Sequence, residues 1–95
     1  MLIGFSVGAV IAYLIALKHP VKKLILCSPS PIIARYKKPK GRIYILSGDK
    51  EMPQMQRYAR MLARKIGAAF IGVHSRHKLT ATYAKAILGA IGTDA

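Results

Sequence analysis

The chain has 95 residues, 53% of them hydrophobic, and carries 16 Lys and Arg against 3 Asp and Glu for a formal net charge of +13. That length supports one core, so residues 1–95 are read as a single domain. So apolar a composition excludes a disordered chain, and a single Cys without Cys/His ligand spacing excludes an internal disulfide and a conventional structural zinc site. With only Asp49, Glu51 and Asp94 as acids, most cations lack an anionic side-chain partner and the surface must be broadly positive.

The first seventeen residues, MLIGFSVGAVIAYLIAL, carry no charge, and a run of that length begins to suggest a membrane span. Gly4 and Gly8 around Ser6, the lack of a basic segment ahead of the run and the lack of a cleavage site argue instead for two buried elements. Residues 1–4 then form an apolar strand, 5–8 a tight turn, and a helix runs from Val7 to about His19, apolar on every face and therefore buried. His19, before Pro20, reads as a helix C-terminal residue.

Residues 22–27 (KKLILC) form the next strand, with Cys27 as a small core residue. Residues 28–41 are a proline-punctuated connection with room for a short turn of helix, and 42–47 (RIYILS) a third strand. After a loop at 48–52, a helix is predicted over 53–66, with Pro53 in its first turn and Gly67 just past its end. Its inward face is Met55, Tyr58, Ala59, Leu62 and Ile66, and Arg57, Arg60 and Arg64 form a solvated stripe. Residues 68–73 (AAFIGV) give a fourth strand, 74–78 a loop, and 79–91 a last helix with Tyr83, Ile87 and Ile91 on one face and Gly92 as its stop.

Strands that are apolar throughout belong in parallel sheets covered by helices. The expectation is an α/β fold with a four-stranded, mainly parallel sheet flanked by helices, its strands in sequence-neighbour order.

Gly4-Phe5-Ser6-Val7-Gly8 spells G-x-S-x-G between an apolar strand and an apolar helix. Such a turn pushes the Ser hydroxyl outward, small glycines relieve contacts between strand and helix, and the helix N-terminus offers N–H groups to a developing oxyanion. A serine nucleophile needs a base that is itself oriented by an acid, and at a nucleophile elbow these follow as Ser, acid, His. Here Gly48-Asp49-Lys50-Glu51 closes the third strand, and His74 and His77 follow the fourth. All stand after strands, where ligands gather in open α/β sheets.

On these residues the chain resembles the C-terminal half of an α/β-hydrolase domain over nearly its whole length. The matching pieces are GFSVG with AVIAYLIALKHP, VKKLILCSP, RIYILSGDKE, and GVHSRHKL with the last helix. The resemblance implies a partial α/β-hydrolase fold and a Ser-His-acid triad for ester or related acyl hydrolysis. The family's G-x-x-D spacing lands on Glu51, and its His position favours His77. The implied roles are Ser6 as nucleophile, His77 as base and then acid, Glu51 orienting the imidazole, and the Val7 N–H as one oxyanion donor. Asp49 is the alternative acid and His74 the alternative base.

A complete hydrolase of this kind has strands before the elbow, including the loop that donates a second oxyanion N–H. The expectation is therefore a truncated, hydrolase-derived chain: a fragment, an internally initiated product, or a protein completed by another chain at the apolar edge formed by residues 1–4. The implied substrate is a small ester-like molecule, with no cofactor, no metal, no specific nucleic acid, no membrane partner and a cytoplasmic location. A noncatalytic interaction module, and a small cationic membrane- or RNA-binding protein, are the competing expectations.

Overall fold

A computed structural model describes residues 1–75 and 81–92. Strands β1 (Leu2–Phe5), β2 (Lys23–Cys27), β3 (Arg42–Gly48) and β4 (Ala69–Val73) pair in the order β1-β2-β3-β4, and every pairing is parallel. Helix α1 (Val7–Lys18) links the first two strands, a 3-10 helix at Pro31–Arg35 lies between the second and third, and α2 (Pro53–Ile66) links the last pair. Helix α3 (Ala81–Gly92) follows β4. The α/β fold and the sequence-neighbour strand order are as expected, with the sheet wholly parallel.

Crossovers that step in one direction with one hand put their helices on one face of the sheet. The core divides accordingly. Alternate strand residues Leu24, Leu26, Ile43 and Ile45 pack with Ala9, Tyr13, Ile33 and Leu62 from α1, the 3-10 helix and α2. Their neighbours Ile25, Cys27, Tyr44 and Leu46 pack with Tyr83 and Ala90 of α3. Lys23 caps the end of α3, its ammonium donating to the carbonyls of Ala90 (2.8 Å) and Ile91 (2.9 Å), where the helix dipole is negative. Gly67 closes α2 in the left-handed conformation at φ 65°.

Three side-chain expectations are corrected. Helix α1 is apolar all round but buries only Ala9, Ala12, Tyr13 and Ala16. It sits over β1 and β2 at the edge of the sheet, so Val7, Ile11, Leu14 and Ile15 face outward. In α2 the buried set is Ala59, Leu62, Ala63 and Ile66, whereas Met55 and Tyr58 are exposed at the cavity described below. In α3, Tyr83 is fully buried but Ile91 is exposed near the helix end.

The two motif glycines have unequal jobs. A Cβ on Gly4 would lie 2.2 Å from the Gly8 carbonyl oxygen, whereas one on Gly8 meets nothing within 4 Å. Gly4→Ala should therefore cost about 3 kcal/mol, because backbone and not a flexible side chain must move. Gly8→Ala should instead gain roughly 0.5 kcal/mol from helix propensity. Denaturant titration of the two variants reads this difference in sign directly.

Candidate functional site

Only Ser6 separates the end of β1 from the start of α1, and it turns the chain with φ 57° and ψ −117°. That is a costly conformation for a residue with a Cβ. An ordinary Ser before a helix stays extended and caps with its hydroxyl. Ser6 makes no side-chain cap hydrogen bond. Its backbone N–H instead donates to the Cys27 carbonyl at 2.8 Å, and its carbonyl accepts from Ala9 N–H at 3.0 Å, pinning the turn on both sides.

A cavity of about 380 Å³ opens at the C-terminal ends of the strands. Ser6, Ser28, Ser47 and Glu51 supply its polar wall, and Val7, Val10, Pro29, Met55, Tyr58 and Ala59 its apolar one. Among the described residues no Lys or Arg lines it, despite the +13 charge of the chain.

Glu51 is buried, and its Oε2 accepts from the Gly48 N–H (2.8 Å), the Ser28 hydroxyl (3.1 Å) and the Ser47 hydroxyl (3.2 Å). Three donors on one oxygen offset the desolvation of a buried carboxylate. Ser28, itself at a positive φ of 49°, has one hydroxyl hydrogen. With that hydrogen aimed at Glu51, its oxygen accepts from the Tyr83 hydroxyl. Burial pushes the Tyr83 phenol up to about 12, with Glu51 and Cys27 adding to the rise and the Ser28 hydrogen bond opposing it. Tyr83 also meets the Phe5 ring edge-on, with centroids 5.6 Å apart, so α3 braces both the acid and the strand that carries Ser6.

Ser6, Val7 and Glu51 thus meet at one cavity. The alternatives Asp49 and His74 lie outside its lining and pair with each other on the surface, with Nδ1 to Oδ2 at 3.0 Å and both side chains exposed. An exposed pair of this kind contributes little to stability. His77 lies outside the described residues. Cys27 is fully buried and its thiol is pushed by burial up to about 11, so it is an inert core residue and not a nucleophile. Among the described residues no group of His, Cys, Asp and Glu is arranged to hold a metal ion, and no helix is long and apolar enough to cross a membrane.

The sequence reading did not single out Ser28 or Ser47, and placed Tyr83 only on the apolar face of the last helix. Ser28 and Ser47 each follow an unbroken apolar strand run in a parallel sheet, and that position is the signal they carried.

No family model matches the chain, and neither does any curated protein or solved structure. The site stands on its geometry alone.

Burial raises the Tyr83 phenol and the Cys27 thiol above their ordinary values of 10.0 and 9.0. At alkaline pH the unfolded chain loses these protons first, so the native state binds more protons and stability must fall as pH rises. The contribution is complete below pH 9 and is lost as pH climbs through about 11 to 12. Tyr83→Phe should reduce the slope of stability against pH between 10 and 12. It should also cost about 1 kcal/mol at neutral pH for the lost hydrogen bond. Urea titrations across that range measure both.

Proposed function

We propose that the chain is a serine hydrolase-like domain acting on ester or related acyl bonds. The observation that carries this reading is Ser6, held at φ 57° at the strand-to-helix turn, in the same cavity as the buried Glu51 carboxylate. Strain of this kind persists only where the surroundings impose it, and at a strand-to-helix turn it presents the hydroxyl.

In the proposed reaction Ser6 Oγ attacks the acyl carbonyl while an imidazole removes its proton, and the candidate for that imidazole is His77. Glu51 orients the ring and stabilises its cationic form. The Val7 N–H, in the first turn of α1, has no intrahelical acceptor and serves as an oxyanion donor at the positive end of the helix dipole. The alcohol leaves with the proton that the imidazole returns. Water activated by the same ring then releases the acid and restores Ser6. The lining is largely apolar and holds its Glu51 carboxylate within a shell of hydrogen-bond donors, which suits a neutral acyl group.

One observation favours a noncatalytic reading. Glu51 Oε2 ties the loop after β3 to Ser28 after β2 and, through Ser28, to Tyr83 of α3, which is a structural junction in its own right. A fluorophosphonate probe separates the two. The hydrolase reading expects covalent labelling at Ser6, absent in Ser6→Ala, and slowed at least about 100-fold in a folded Glu51→Gln variant. A folded chain that is not labelled, or is labelled equally after Ser6→Ala, contradicts catalysis and leaves the junction.

A further inference from the structure

We infer that the outer face of α1 docks this chain onto an anionic lipid surface. Val7 (72% exposed), Ile11 (54%), Leu14 (37%) and Ile15 (43%) recur at helical spacing on the side opposite Ala9, Ala12, Tyr13 and Ala16, which face the core. The outward face of a helix in an α/β layer is ordinarily polar. Here it is apolar until Lys18 completes the stripe, and His19, Pro20 and Lys22 continue it as an exposed basic end. Ile32 of the adjoining 3-10 helix adds a further exposed apolar side chain.

Charge decides between occupants. A second copy would cover the stripe but would bring together two chains of +13 each, with three acids apiece to offset 16 cations. An anionic bilayer supplies both missing complements, hydrocarbon for the stripe and phosphate for Lys18 and Lys22 at its exposed end. Twelve residues of α1 extend about 18 Å, well short of the hydrocarbon thickness of about 30 Å, so the helix lies in the interface and does not cross it. The sequence expectation of no membrane partner rested on the lack of a span, which this mode does not need. Val7 belongs both to the stripe and to the cavity lining, so docking sets the Ser6 cavity beside the lipid surface.

The test is co-sedimentation of the chain with phosphatidylcholine vesicles, with and without phosphatidylserine. Binding is expected only to the anionic vesicles and should weaken as salt is raised. The double variant Ile11→Gln, Leu14→Gln, folded by circular dichroism, should partition at least about tenfold less, because its inserted surface is lost. Leu88→Gln, exposed on α3 across the sheet, should bind as the unaltered chain. Binding of the double variant equal to that of the unaltered chain would show that charge alone is responsible and overturn the proposal. So would a chain that stays in the supernatant, or a dimer in sedimentation velocity that the double variant dissociates. Ser6→Ala should bind normally, so the docking and the Ser6 chemistry succeed or fail separately.

Discussion

The architecture turns on the contact between Gly4 and the Gly8 carbonyl. Gly4 is fixed in the sheet by its register against Leu26, and α1 starts at Val7. The chain must reverse over Phe5 and Ser6, and it does so only because the helix backbone can approach where Gly4 has no Cβ. Ser6 takes the rotation that remains, at a positive φ a side chain rarely adopts. Gly4 therefore acts through backbone proximity and Ser6 through the geometry that proximity imposes. The parallel sheet does the rest, since parallel strands deliver Ser6, Ser28, Ser47 and Glu51 to one end.

Much of the fold was legible because its signals are local. Unbroken apolar runs in KLILC and RIYILS announced strands covered on both faces, and both carry alternate residues into two separate cores. Pro53 and Gly67 bounded α2 at the residues where it begins and ends, because one lacks an N–H that the first turn does not need and the other accepts the left-handed conformation. Spacing and family resemblance favoured Glu51 over Asp49, and Glu51 is the one of the two that is buried at the cavity. The partners of Glu51 were not legible. Ser28 and Tyr83 stand 55 positions apart, and nothing local in either predicts a shared hydrogen bond. The exposure of Val7, Ile11, Leu14 and Ile15 was hidden for a similar reason. An all-apolar helix is buried only as far as its neighbours extend, and α1 covers the edge of the sheet.

Charge takes on a shape once the acids are placed. Asp49 and Glu51 share the loop after β3, one exposed and paired with His74, the other enclosed by hydroxyls and a backbone N–H. Among the described residues, no Lys or Arg lines the cavity. Positive charge thus governs what the surface meets, while the cavity wall is largely apolar apart from its serine hydroxyls and the Glu51 carboxylate. The two roles touch at Val7, whose side chain is both cavity wall and exposed helix face.

The backbone at Ser6 holds a positive φ of 57°, a strained conformation for a residue with a Cβ. The stabilities of Ser6→Gly and Ser6→Ala test this strain most directly, since both remove the hydroxyl and only one removes the Cβ. Relief of a positive φ of 57° should make Ser6→Gly the more stable by about 1 to 3 kcal/mol, even though glycine gives the unfolded chain more freedom. Equal stability, or a more stable Ser6→Ala, would mean that the turn carries no strain and would contradict the account.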